Sequence, residues 1–222
     1  MASTLAQLKQ RVLERCDMEN TDFISDSELT TYINESYAEL YDMMIATFED
    51  YFTIETNITV SGGTGRLTLP SDFYKLRGLD KALGCGNHAT VYKFTFNDRN
   101  VTESNPFRLT SAFGLRTEYR IVKGELLLVP ASPANGVYRL WYMPQITFLS
   151  ASTDTVDVPN GFDEYVVIDA AIKCLTKEES STEVLERAKV LMTQRIESMA
   201  SNRDADQPES VTDVNSDLTQ WY

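Results

Sequence analysis

Residues 24–48, ISDSELTTYINESYAELYDMMIATF, decide the fold because they specify both the start and the apolar side of one long helix. Ser25 and Glu28 have capping-box spacing, in which each side chain bonds the backbone N–H of the other residue. Apolar residues then recur every three or four positions: Leu29, Tyr32, Ile33, Tyr37, Leu40, Tyr41, Met44, Ile45 and Phe48. We predict a helix over residues 25–49 whose stripe is wide enough to contact more than one neighbour.

A shorter helix is predicted ahead of this one. Thr4 and Gln7 have capping-box spacing at its start, and its apolar residues recur at helical intervals as far as Asp17. The N-terminal part of the chain therefore reads as a pair of amphipathic helices.

A second pair of helices is predicted near the other end of the chain. One helical pattern runs from Phe162 to about residue 179. Ser180 and Glu183 then have capping-box spacing at the start of the last helix. The apolar stripe of that helix is predicted to comprise Val184, Leu185, Ala188, Leu191, Met192, Ile196 and Met199.

Between the helix pairs, the hydrophobic period changes to two, which indicates β-strands. YFTIETNITV (51–60), the glycine-rich stretch SGGTG (61–65) and RLTLP (66–70) resemble a hairpin. Similar alternating stretches follow as far as residue 143, and prolines mark the ends of several of them. We predict a set of short antiparallel strands.

These patterns predict an α+β fold. Each amphipathic helix is too narrow to bury its apolar side alone, so residues 1–50 and 158–200 are predicted to form a four-helix bundle. Residues 51–157 are then an inserted antiparallel β domain, and residues 201–222 are an extended C-terminal tail.

The charge of the chain limits its function. Its 222 residues carry a formal net charge of -13, which argues against a protein that grips DNA phosphates through Lys and Arg. If the chain forms a ring, its acidic wall could still let a DNA duplex slide through without binding it. Cys16, Cys85 and Cys174 are far apart and odd in number, so we expect reduced thiols rather than disulfides or metal ligands.

The sequence offers few residues in the arrangements that catalytic sites use. The single histidine, His88, lies in a loop-like stretch without a marked catalytic partner, and the glycine spacings do not match a nucleotide-binding fingerprint. Acidic residues gather at Asp154, Asp157, Asp163 and Glu164, but calcium-loop spacing is absent, so capping and solvation explain them better. We predict no catalytic, cofactor-binding or metal-binding residues.

The tail, residues 201–222, is polar and acidic yet ends in large apolar side chains. Such a segment cannot form a core of its own, which predicts that it is ordered by a partner. Aromatic anchors and acidic residues facing a basic groove are the expected contacts. The predicted partner-binding residues are Asp213, Asp217, Leu218, Trp221 and Tyr222.

The order of these elements resembles the head-to-tail adaptor, or connector, proteins of tailed bacteriophages. The stretches that carry this resemblance are TLAQLKQRVLERC (4–16), FISDSELTTYINESYAELYDMM (23–44), LTLPSDFYKLRGLDKAL (67–83), YRIVKGELLLVPASPANGVYRLWYMPQITFLS (119–150) and DTVDVPNGFDEYVVIDAAIKCL (154–175). The resemblance covers residues 4 to about 200. They are structural rather than catalytic motifs, and their order is more informative than any one of them.

The resemblance implies a structural virion protein that is not an enzyme. It implies a dodecameric ring that docks under the portal protein, extends the DNA channel and links the capsid to downstream tail proteins, a nozzle or fibres. The tail would reach the portal, and DNA would pass without specific binding. Assembly would take place in the host cytoplasm, away from any membrane. The broad stripe of residues 25–49 suggests a subunit interface at Tyr37, Tyr41, Met44 and Phe48.

Two alternatives remain open from the sequence. One is another phage tail component, a tail-completion or fibre-attachment protein that docks through its β domain. The other is a tail-associated cell-wall hydrolase, which would need a carboxylate pair in a cleft. Because the separation of two carboxylates is a spatial property, the sequence does not select a pair.

Overall fold

The computed structural model describes residues 3–18, 23–98, 110, 111, 114, 115, 117–131, 134–159 and 161–201. The chain divides into two compact units, one built from residues up to Leu40 and from Ser150 onward, the other from Tyr41–Leu149. Helices dominate the first unit, here called the helical unit, and strands dominate the second, here called the β unit. The predicted α+β class is confirmed, while the predicted domain boundaries stay a prediction.

The described residues form four α-helices. Their bounds are α1 (Leu5–Cys16), α2 (Asp26–Thr47), α3 (Asp163–Lys177) and α4 (Glu183–Ser201). In the helical unit, α1 and α4 each pack against α3. The structure therefore confirms the four helices that the apolar spacing predicts.

Both N-terminal capping boxes are present. Thr4 and Gln7 exchange their predicted bonds at the start of α1, which ends at Asp17 in the left-handed conformation. At the start of α2, the Ser25 backbone N–H donates to Glu28 at 3.1 Å, and the Glu28 backbone N–H donates to the Ser25 hydroxyl at 3.3 Å. Local sequence alone therefore specified where these helices begin.

The start of α4 differs from its prediction. The helix begins at Glu183, so Thr182 rather than Ser180 precedes its first residue. The Thr182 hydroxyl donates to the Glu186 carboxylate at 2.6 Å, whereas the Ser180 hydroxyl donates to Glu178. The predicted capping box of Ser180 and Glu183 is wrong. Thr182 and Glu186 also have side chains that can bond each other, and the helix starts at this second pair.

The strands of the β unit are short, apart from three. Their bounds are β1 (Ile54–Val60), β2 (Arg66–Thr68), β3 (Phe73–Gly84), β4 (Asn87–Thr90), β5 (Tyr92–Lys93), β6 (Thr110–Ser111), β7 (Gly114–Leu115), β8 (Glu118–Val122), β9 (Glu125–Val129) and β10 (Gly136–Pro144). Short 3₁₀ turns at Glu49–Phe52 and Phe96–Asp98 flank them.

Among the described residues, β1 to β5 and β8 to β10 form two four-stranded sheets. The first has the order β1-β10-β3-β4 and the second β2-β9-β8-β5. Both sheets contribute to one core, in which Leu79, Tyr138 and Leu140 come from the first sheet and Leu126 and Leu128 from the second. All five side chains are buried, so this shared core holds the β unit together.

The predicted hairpin over residues 51–70 is wrong. β1 pairs with β10 and β2 pairs with β9, so the two strands belong to different sheets. The glycine-rich link between them carries the chain from one sheet to the other, and Gly65 accepts a bond from Leu128 N at 2.6 Å. The expectation that all strands are antiparallel also needs one correction, because β5 pairs with β8 in parallel.

Candidate interaction surface

The helical unit contains a buried carboxylate. Asp169 on α3 is only 3% exposed. It accepts hydrogen bonds from Lys189 on α4 at 2.6 Å and from Ser36 on α2 at 2.6 Å, and Lys173 lies 3.0 Å away. A buried charge of this kind is tolerated only where it is paired and hydrogen-bonded. Asp169 therefore ties three helices together and is not available to a ligand.

The pKa values of this cluster fit its geometry. Burial opposes ionisation of Asp169, but the bonds from Lys189, Ser36 and Lys173 outweigh it and hold the Asp169 pKa below its usual range. Burial likewise lowers the Lys189 pKa, and the contact with Asp169 more than reverses that effect and raises it. Both groups are therefore charged at neutral pH.

Acidic residues that the sequence grouped together are already paired. Arg11 on α1 lies 2.5 Å from both Asp163 and Glu164 at the start of α3, and Arg15 also bonds Glu164. Asp154 accepts the backbone N–H groups of Ser150 and Ala151, each at 2.8 Å, as expected for a capping role. Throughout the described ranges, no group of three His, Cys, Asp or Glu residues could hold a metal ion.

The single histidine, His88, contacts the turn that precedes its strand. It is exposed on β4, and its Nδ1 lies 3.1 Å from the carbonyl oxygen of Gly86. Cys16 and Cys174 are buried in the helical unit and Cys85 is exposed, all as free thiols. The Cys16 thiol donates to the Ala171 carbonyl at 3.6 Å, consistent with a small core residue.

The predicted subunit-interface residues pack largely within the chain. Tyr37, Tyr41 and Met44 are buried, and Phe48 is half-buried. The Tyr37 hydroxyl accepts from Asp157 N at 3.0 Å in the helical unit. The Tyr41 hydroxyl donates to the Pro144 carbonyl in the β unit. Burial within the chain accounts for the width of the α2 stripe, and a role at a subunit interface stays a prediction.

The most exposed large apolar side chains of the helical unit lie on α4 instead. Val184 is 78% exposed and Leu191 is 67% exposed, and Val190 and Met199 are also more than half exposed. Only Met192 and Ile196 of the predicted stripe are buried. We call Val184 and Leu191, which lie about 20° apart around the helix, the α4 apolar surface. Solvent-exposed apolar side chains gathered on one element are typical of an interaction site.

The sequence prediction missed this division of α4. Val184, Leu191, Met192 and Ile196 were all assigned to one stripe, but Val184 and Leu191 are seven residues apart, two turns along the same side. Met192 and Ile196 define a different side, about 100° around the helix from Leu191 in the case of Met192. Spacing could have separated the two stripes, although it could not have said which of them is buried.

The predicted partner-binding residues Asp213, Asp217, Leu218, Trp221 and Tyr222 lie outside the described residues. The last described element, α4, ends at Ser201, twelve positions before Asp213. In the described part of the chain, no helix combines the length and apolar character needed to cross a bilayer. Because its apolar side chains are exposed, the α4 apolar surface is a candidate surface for binding a protein.

The charged side chains described above hold helices together or cap them. The helix with the most exposed apolar side chains, α4, is followed in the sequence by the C-terminal segment. Exposed apolar side chains of this kind favour a protein that binds a partner. A family model described as SU10 adaptor protein matches residues 3–214. The chain therefore belongs to the SU10 adaptor protein family, a family of bacteriophage head-to-tail adaptors, and is a structural virion component. A comparison with curated proteins finds no match.

Proposed function

We propose that the protein forms a dodecameric ring that docks under the portal protein, extends the DNA channel and links the capsid to the tail. The observation that carries this proposal is the α4 apolar surface, which leads directly into residues 202–222. Membership of the adaptor family supports it, because an adaptor must bind at least two neighbours. In this proposal the four helices form a bundle, and the β unit binds a nozzle or fibres.

Portal docking is assigned to the C-terminal segment. Residues 202–222, if extended, reach about 70 Å, enough to cross a neighbouring subunit and contact a second protein. Leu218, Trp221 and Tyr222 supply apolar anchors, and Asp213 and Asp217 supply charges for a basic groove. A segment that becomes ordered on its partner makes attachment depend on that partner.

Ring symmetry strengthens a weak contact. If every subunit presents one segment to the portal, the second and later segments bind at a high effective concentration. The assembled joint is then far more stable than a single contact. This mechanism needs no enzymatic step and no cofactor.

The charge of the chain suits a passage for DNA. A formal net charge of -13 repels phosphates, so a duplex inside the proposed ring is not held by the wall. Binding to DNA is therefore expected to be weak at physiological salt, and transport through the ring would not require the release of specific contacts.

The proposal is tested by deleting residues 202–222 and measuring binding to the portal of the same virus by co-sedimentation. We expect the helical and β units to fold normally while portal binding is lost. Two full-length variants separate the contacts, Trp221→Ala with Tyr222→Ala for the apolar anchors and Asp213→Asn with Asp217→Asn for the charges. Undiminished portal binding by the truncated protein would contradict this role of the segment.

A further inference from the structure

We propose that neighbouring copies of this protein join through the first sheet, with the free edge of β1 in one copy pairing with the free edge of β4 in the next. This inference rests on the proposed ring and names the contact that would build it. It assigns a function to two strand edges that have no partner among the described residues.

The edge of β1 is long and regular. All seven of its residues pair in sequence with β10, from Ile54 opposite Tyr142 to Val60 opposite Gly136. In the described part of the chain, no strand lies on its other side. Natural proteins usually protect such an edge with proline, lysine, a bulge or a short length. β1 contains neither proline nor lysine, and its register with β10 has no bulge.

The opposite edge of the same sheet is also open. β4 pairs with β3 on one side, and no described strand pairs with it on the other. His88, Asn87 and Thr90 on this strand are exposed. A sheet with two open edges can be extended by a second copy of the chain. The open edge of one copy then pairs with the opposite open edge of the next copy.

Strand direction fits this pairing. β1 is antiparallel to β10, β10 to β3, and β3 to β4. β1 and β4 of one sheet therefore run in opposite directions, so β4 of the next copy, in the same orientation, would lie antiparallel to β1. The sheet would continue with its existing alternation and with its buried face on the same side. Antiparallel pairing is also the slightly more stable arrangement.

Charge also favours these two edges. Copies that each carry a net charge of -13 repel one another, so their contacts should form where acidic residues are few. β4, Asn87–Thr90, has no acidic or basic residue apart from His88, and β1 has only Glu55. Glu55 lies 3.9 Å from Arg139 on β10, which offsets part of its charge.

The contact is heterologous, since it joins two different surfaces. Repetition of a heterologous contact gives a closed ring when its rotation closes, whereas β1 pairing with β1 would give a two-fold dimer and stop. A ring of adaptors requires the first arrangement. The partner that fits the β1 edge is therefore the β4 edge of a second copy.

Disulfide crosslinking tests the contact in the full-length protein assembled on its portal. Asn57 on β1 and His88 on β4 are exposed and lie on the same face of the sheet, so N57C and H88C are introduced together. C85S removes the exposed native thiol. Within one chain, β10 and β3 separate the new cysteines by three strand spacings, about 14 Å. This exceeds the reach of a disulfide, about 7 Å, so any bond between them is intermolecular.

We expect the oxidised double variant to run as a ladder of covalent multimers on a non-reducing gel, while each single variant stays monomeric. If β1 and β4 pair in a neighbouring register, a cysteine at position 55 or 59, on the same face of β1, should crosslink to position 88 instead. N57C paired with T68C, on the edge of the second sheet, is the matched control and should give no ladder. Circular dichroism of the reduced variants confirms that each is folded.

Three results would overturn the inference. Covalent dimers of the N57C single variant would show that β1 of one copy pairs with β1 of another copy rather than with β4. A ring by native mass spectrometry without crosslinks from positions 55, 57 or 59 to 88 would leave the proposed function standing and remove this contact. Absence of any ring, with or without the portal, would defeat the proposed function and the contact together.

Discussion

Asp169 on α3 and Lys189 on α4 meet at 2.6 Å and fix how the last helix is turned. Around an ideal helix, Lys189 lies about 140° from Val184 and about 160° from Leu191. Anchoring Lys189 to a buried carboxylate therefore directs Val184 and Leu191 away from α3. The same ion pair that stabilises the helical unit thus presents the α4 apolar surface.

Substitution of Asp169→Asn should destabilise the protein. The change removes the charge that pairs with Lys189 and Lys173 while the side chain stays buried, and breaking a buried pair of this kind costs about 3 kcal/mol. The free energy of unfolding in urea measures the loss. Glu35→Gln is the control, because Glu35 is exposed and 3.6 Å from Lys173, and it should change stability by less than about 0.5 kcal/mol. Equal stability of both variants would contradict the role of Asp169.

Stability should fall in acid. The folded-state pKa of Asp169 is depressed, so its contribution is complete above its unfolded pKa of about 3.9 and is lost as the pH falls through the lower folded value. The Lys189 pKa is raised, so its contribution is complete below about pH 10.4 and is lost as the pH rises through the folded value. Melting temperatures of the wild type should therefore drop below about pH 4.

The Asp169→Asn variant should show a shallower drop over the same acidic range. It should not lose the drop completely, because the Asp163 pKa is also lowered: the bonds from Ser3 and Arg11 outweigh the effect of burial. Parallel acid profiles for the variant and the wild type would show that Asp169 does not contribute to the pH dependence.

Gly65→Ala should be far more damaging than Gly63→Ala. Both glycines have positive φ, +61° and +67°, so both substitutions strain the backbone. At Gly65 a Cβ would also lie 2.6 Å from the Leu128 carbonyl oxygen, whereas at Gly63 it would meet nothing within 4 Å. We expect a loss of about 3 kcal/mol or more for Gly65→Ala and about 1 kcal/mol for Gly63→Ala. Thermal unfolding checks both, and equal losses would refute the close approach of the backbone.

Leu191→Gln should separate binding from stability. Because Leu191 is exposed, the substitution should leave the free energy of unfolding within about 0.5 kcal/mol of the wild type. If the α4 apolar surface contacts a partner, binding to the portal should weaken at least about tenfold. Gln10→Ala, an exposed change on α1, should leave binding intact. Unchanged binding by the Leu191→Gln variant would remove this surface from the portal contact.

Sequence analysis was most accurate where structure depends on near neighbours. The capping residues Thr4 and Ser25 are confirmed because each bonds a residue three positions away. It failed where distant segments compete, as for β1, whose partner β10 begins at Gly136 rather than in the next strand. The glycine-rich residues 61–65 signal a turn, but they do not show which strand β1 pairs with.

The candidate surface was only partly predictable for a similar reason. The apolar residues of α4 were recognisable, but which side is buried depends on α3 and on the position of Asp169. Asp169 itself interrupts the apolar run VVIDAAI (166–172), a signal that the sequence analysis did not use. A single acid among apolar residues on a helix predicts a buried partner, although not its identity.

Native mass spectrometry of the purified protein, alone and after mixing with the portal of the same virus, tests the central claim most directly. The account predicts a portal complex that carries a ring of about twelve copies of the chain. A chain that stays monomeric and does not bind the portal would contradict the adaptor ring and would favour a more distal tail component.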